Sequence, residues 1–129
     1  MVGVVVVSHS ERAAEGIVEV AAEMGGDARI EAVGGDRDGG IGTSMDAIRA
    51  GIEAAADDGG GVVVLVDLGS AVMNAEIAIE KASIEGDVEI ADAPVLEGAL
   101  NAAVEATNPN ATVESVLEAA TDAREYRKL

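Results

Sequence analysis

Apolar positions along the chain change their spacing several times, and the changes divide it into alternating strands and helices. Residues 2–7 are almost unbroken valine, which predicts a strand buried on both faces. Over 11–24 the period becomes helical, with Ala14, Ile17, Val18, Ala21 and Met24 on one face. Gly25-Gly26 ends that helix, and 28–33 reads as a short second strand. Residues 34–42 are too rich in glycine for regular structure. A second helix starts at Thr43 or Ser44, either of which can cap it, and buries Met45, Ile48, Ile52 and Ala55. A turn over 57–61 leads to a third strand at 62–66, a helix over 70–82 and a weaker strand at 88–91. Pro94 suits the first turn of a helix over 94–106, and Thr107-Asn108-Pro109-Asn110 separates it from a last helix, 112–127. That helix turns Val113, Val116, Leu117 and Ala120 inward. This alternation predicts an α/β fold with a largely parallel sheet. Without repeat, linker or second hydrophobic unit, residues 1–129 are expected to form one domain.

Composition sharpens the picture. A chain of 129 residues buries roughly two thirds of its unfolded surface and needs no covalent staple. It has no cysteine, hence no disulfide framework, thiolate metal site or thiol nucleophile. The first apolar run lacks a basic leader and is too short for a signal sequence or a membrane span, so a soluble cytoplasmic protein is expected. With 8 Lys plus Arg against 25 Asp plus Glu the net charge is −17, which offers no footprint for nucleic acid or anionic membrane. Because 49% of the residues are hydrophobic, the acidity reads as a solvated surface suited to high salt, not as disorder. Glu11, Glu15, Glu19 and Glu23 recur every four residues, as one solvated helix face would.

In open α/β sheets ligands sit beyond the carboxyl ends of the strands. Three strand-to-helix loops here carry unusual residues: Ser8-His9-Ser10, the glycine-rich 34–44, and Asp67-Leu68-Gly69-Ser70. They converge if their strands are neighbours. His9, the only histidine, sits at the mouth of the sheet, and imidazole can act as a nucleophile near neutral pH without a metal. Asp67 ends the third strand, where it either accepts a hydrogen bond from the imidazole or serves as a turn or cap residue. The loop from Gly34 to Ser44 is either a phosphate cradle of backbone N–H groups or a plain surface loop. It is not a P-loop, because Ile41-Gly42 stands where Lys and Ser/Thr are required. Asp36, Asp38 and Asp46 match no calcium-loop spacing, so no metal is expected.

Four blocks in order and spacing then carry a resemblance: Val6-Val7-Ser8-His9-Ser10; Gly39-Gly40-Ile41-Gly42-Thr43-Ser44; Asp67-Leu68-Gly69-Ser70-Ala71 with Met73-Asn74; and Ala93-Pro94-Val95-Leu96-Glu97-Gly98-Ala99. Together they resemble the phosphotransferase subunit of phosphoenolpyruvate-dependent dihydroxyacetone kinase, a relative of the IIA domains of mannose-type sugar phosphotransferase systems. The resemblance implies a homodimeric domain with an open parallel sheet of order 2-1-3-4, flanked by helices. It implies that His9 takes phosphoryl from the histidine phosphocarrier protein and passes it to ADP held in the nucleotide subunit of the kinase. Asp67 would orient the ring, leaving Nε2 as the phosphorylated nitrogen. Ser10, Gly42, Thr43, Ser44, Gly69 and Ser70 would surround the phosphoryl oxygens, with no cofactor. Some relatives fuse the carrier protein and enzyme I domains to this one; here they are expected as separate chains.

A mannose-type IIA domain feeding a sugar transporter is the nearest rival. Such domains typically carry an extra glycine and a proline after the aspartate, both missing from Gly69-Ser70-Ala71. A regulatory module that senses phosphorylation at His9 is a further alternative. A receiver phosphorylated on Asp67 is disfavoured, because Ser8-His9-Ser10 replaces the acids that would bind magnesium, and Lys81 and Lys128 are badly placed.

The charge yields a first prediction. Like charges at i, i+4 and a net charge of −17 both oppose the compact state at low ionic strength. In about 1 M salt the Debye length falls to ~3 Å and most of that repulsion is screened. The melting temperature should therefore rise from dilute buffer to ~2 M potassium chloride; a steady fall would contradict the electrostatic argument.

Overall fold

The fold was analysed in a computed structural model, which describes residues 1–56 and 58–129. Four strands, β1 (Gly3–Ser8), β2 (Ile30–Gly34), β3 (Val62–Val66) and β4 (Val88–Ala91), form one sheet. Its order is β2-β1-β3-β4 and every pairing is parallel, as the resemblance implies. Around it lie α1 (Glu11–Met24), α2 (Met45–Ala55), α3 (Val72–Lys81), α4 (Val95–Ala106) and α5 (Val113–Asp122).

The strands are buried on both faces, and side-chain alternation splits their residues between two cores. Val4, Val6, Val63 and Leu65 pack with Ala21, Ala99, Ala102, Ala103, Val116 and Ala120, the layer of α1, α4 and α5. Val5, Val7, Val62 and Val64 pack with Ile48, Ile52, Ala75 and Ala78, the layer of α2 and α3. Alanine dominates the helix faces, so helices approach the sheet closely while valine and isoleucine supply the volume. The helix ends follow their caps. Ser44 accepts from the Ala47 N–H at 3.3 Å, and Thr112 forms a reciprocal capping box with Ser115. Of the two candidates for the start of α2, the structure selects Ser44.

Several boundaries differ from the expectation. The second strand begins two residues late, because the Ala28 N–H turns back to the Gly25 carbonyl. The third helix is preceded by one 3₁₀ turn, Gly69–Ala71. The last helix stops at Asp122 and continues as a 3₁₀ turn, Ala123–Glu125. Beyond it the tail is tied to α4, with Tyr126 accepting from Asn101 at 2.8 Å and Lys128 pairing with Glu97 at 2.6 Å. Met24, placed inward by its period, is 65% exposed. Gly25 takes the close contact instead, since a Cβ there would lie 2.7 Å from Ala103. The turn expected over 57–61 is seen from Asp58 onward; Asp57 lies outside the described residues. All four glutamates of the acidic α1 face are exposed. Among the described residues no helix is long and apolar enough to cross a membrane.

Two glycines test this packing with opposite signs. A Cβ on Gly34, at the end of β2, would lie 2.5 Å from the Ser10 carbonyl oxygen and 2.7 Å from the Glu11 Cα. Gly34→Ala should destabilise the fold by about 1–3 kcal/mol, the usual range for overpacking. Gly16 lies inside α1 with nothing within 4 Å of a Cβ. Gly16→Ala should stabilise by about 0.5–1 kcal/mol through helix propensity. Urea denaturation of both variants checks the pair of signs.

Candidate functional site

The sheet order makes β1 the neighbour of both β2 and β3, so the loops after these three strands meet. His9 is the first residue beyond β1 and Asp67 the first beyond β3. Val7 lies opposite Val66, and the Asp67 N–H continues the ladder to the Val7 carbonyl at 3.0 Å. The residue after each strand is therefore set side by side with the other. Both side chains are mostly covered, at 21% exposed for His9 and 20% for Asp67.

The Asp67 carboxylate uses both oxygens. Oδ2 accepts from the backbone N–H of His9 and from the hydroxyl of Ser8, each at 2.9 Å. Oδ1 lies 2.9 Å from Nδ1 of His9. Burial pushes this carboxyl up, but the His9 backbone, the His9 ring and the Ser8 hydroxyl together outweigh it and hold it below its ordinary value. An ionised carboxylate only accepts, so Nδ1 must carry the proton, and in the neutral ring Nε2 then has the free electron pair. Ser70, on the 3₁₀ turn begun by Gly69, places its hydroxyl 2.9 Å from Nε2 and donates to it. The result is an imidazole held at both nitrogens, with its nucleophilic atom next to a neutral donor.

The β2 side contributes less directly. The Gly42 N–H donates to the His9 carbonyl at 2.8 Å, in a conformation (φ 149°) that favours glycine. Asp36 organises the rest of the loop, its carboxylate accepting from the N–H groups of Asp38 and Gly40 at 2.9 and 2.8 Å. The N–H groups of Gly35, Asp36 and Gly39 are also taken, by Ser8, Gly40 and Asp36 carbonyls. These donors are committed internally, and through Gly42 the loop braces the His9 main chain. The Ser10 and Ser44 hydroxyls cap α1 and α2, accepting from Ala13 and Ala47. Thr43 accepts from the Asn74 side chain at 2.8 Å, which leaves its own proton to be donated elsewhere. Asn74 carried no role in the sequence reading, although it lies one helical turn past Ser70. The hydrophobic side chains of Ile41 and Leu68 on these loops, and of Met73 at the start of α3, are 79%, 57% and 74% exposed.

The fold and site fall within a known class: the chain belongs to the mannose-type IIA family of phosphotransferase-system components, the model described as PTS system fructose IIA component matching residues 3–117. Among its relatives is the phosphoryl donor subunit DhaM of PEP-dependent dihydroxyacetone kinase 2 from Listeria innocua, 37% identical over 125 residues, covering 95% of this chain and 98% of the relative. The corresponding subunit of kinase 1 from the same organism is 41% identical over 97 residues, 75% of each chain. A crystal structure of a protein of unknown function superposes with a TM-score of 0.79 at 29% identity, covering 94% of this chain and 93% of the other. These findings bear out the resemblance drawn from the four sequence blocks.

The depressed Asp67 carboxyl sets a pH dependence. A carboxyl whose folded pKa is lowered contributes stability above its unfolded value, 3.8, and loses it as pH falls through the folded value. Wild type should melt above Asp67→Asn at about pH 6, and the difference should shrink only below the unfolded value, as pH falls through the lowered folded one. Thermal melts from about pH 6 down to about pH 2 check it; a gap that persists unchanged to the lowest pH would place the effect elsewhere.

Proposed function

We propose that the chain is a phosphohistidine carrier, accepting phosphoryl on Nε2 of His9 and passing it to an acceptor held by another subunit. The observation that carries this reading is the double anchoring of His9, with Nδ1 on Asp67 and Nε2 beside Ser70. In the forward step the Nε2 electron pair forms an N–P bond while the bond from phosphorus to its donor breaks, and the leaving group keeps that pair. Positive charge grows on the imidazole as the N–P bond forms, and the Asp67 carboxylate 2.9 Å from Nδ1 offsets it. The Ser70 hydroxyl then exchanges its acceptor, from Nε2 to a phosphoryl oxygen. Thr43 supplies a second hydroxyl, while Gly42, Gly69, Ser10 and Ser44 hold the loops and helix ends around the group. Phosphoryl transfer depends mainly on such positioning and electrostatics.

Membership of the family and the kinship with DhaM subunits support the histidine phosphocarrier protein as donor and ADP in the nucleotide subunit of dihydroxyacetone kinase as acceptor. We read the working form as a cytoplasmic homodimer of one domain per chain, adapted to high salt. The exposed Ile41, Leu68 and Met73 give both partners apolar contacts in an otherwise acidic surface.

The test is phosphorylation with labelled phosphoenolpyruvate, enzyme I and carrier protein. Label should enter wild type as an acid-labile, alkali-stable phosphoramidate and be absent from His9→Ala. Label retained in the variant, or lost in alkali as an acyl phosphate on Asp67 would be, contradicts the assignment.

A further inference from the structure

Among the described residues Ser8 is the buried polar one, 1% exposed at the end of β1. Its hydroxyl has a defined task at each atom. Oγ accepts from the Ser10 backbone N–H at 3.1 Å, and its single proton goes to Oδ2 of Asp67 at 2.9 Å. The Ser10 N–H thus orients Ser8, and Ser8 orients Asp67. We propose that Ser8 is a positioning residue for phosphoryl transfer, holding the plane of the Asp67 carboxylate so that Oδ1 keeps the proton of His9 on Nδ1. This rests on the reading of His9 as the phosphoryl acceptor.

Geometry explains why the His9 backbone N–H does not suffice. With that single donor on Oδ2 the carboxylate can pivot about the bond, and Oδ1 leaves the line to Nδ1. A second donor, reaching Oδ2 from the buried end of the strand, removes that freedom. The donors run in series from the Ser10 N–H to the Ser8 hydroxyl to the carboxylate, and such a chain strengthens its members, while the imidazole donates to the other carboxylate oxygen. Ser8 touches neither Nε2 nor the phosphoryl group, so its effect must travel through Asp67.

The experiment needs no protein partner. Potassium phosphoramidate supplies the phosphoryl group: Nε2 forms the N–P bond, the P–NH₂ bond breaks, and the amine leaves as ammonia after taking a proton. The neutral-ring tautomer of His9 is read separately by ¹⁵N NMR. Ser8→Ala should slow phosphorylation about tenfold, the scale of one lost hydrogen bond to a charged group. It should also raise the fraction of ring protonated on Nε2, and Ser8→Thr, which restores the hydroxyl, should reverse both changes. Ser8→Cys keeps the volume with a weak donor and should follow Ser8→Ala while remaining folded. A fall in melting temperature with unchanged tautomer and rate, in Ser8→Ala or Ser8→Cys, would make Ser8 a packing residue only and overturn the proposal. Wild type that phosphoramidate leaves unlabelled at His9 would instead count against the carrier reading, while the tautomer shift would still judge Ser8.

Discussion

The hydrogen bond between Asp67 and His9 is the contact on which the rest of the arrangement depends. It joins the ends of two neighbouring parallel strands, so it exists only because β1 and β3 pair in the register that sets Val7 opposite Val66. A shift of one residue would turn the side chain to the other face of the sheet. The valine-packed strands therefore do more than bury surface: the register in which they pair specifies the tautomer. The glycine-rich loop serves the same end from the β2 side, holding the His9 carbonyl through Gly42.

The electrostatics of the site follow from its neighbours and not from the net charge of −17. On the proposed reading, a phosphoryl group on Nε2 would meet hydroxyl donors, Ser70 beside that nitrogen and Thr43 on the neighbouring loop. Neutral donors suit a carrier, which must release the group as readily as it takes it. The one formal charge at the ring, on Asp67, lies at the far nitrogen, where it favours the imidazolium character that grows in the transition state.

Much of this was legible in the sequence because few alternatives compete for a continuous apolar run. The strands at 62–66 and 88–91 were placed to the residue, since glycines and acids bound them closely. Met24 and the extent of the last helix were not legible, because periodicity sees the face of a helix but not where a neighbouring backbone interrupts it. At the site, His9 and Asp67 were suggested by type and by position after a strand. The commitments of Ser8 and Asn74 were not, because hydroxyls and amides are common in loops and only their partners distinguish them. The glycine loop stays open to two readings in the sequence for a similar reason. Glycine spacing shows that backbone N–H groups can approach an anion, but not that Asp36 already holds two of them.

The carrier function proposed for His9 requires that Nδ1 stay tied to Asp67 while Nε2 does the chemistry. The direct measurement is ³¹P–¹⁵N NMR of the phosphorylated protein carrying ¹⁵N-labelled histidine. Since His9 is the only histidine, one imidazole reports. Phosphorus should couple to Nε2, with Nδ1 still bearing its proton. Phosphorus on Nδ1 would mean that the bond to Asp67 breaks before transfer, and would contradict that requirement.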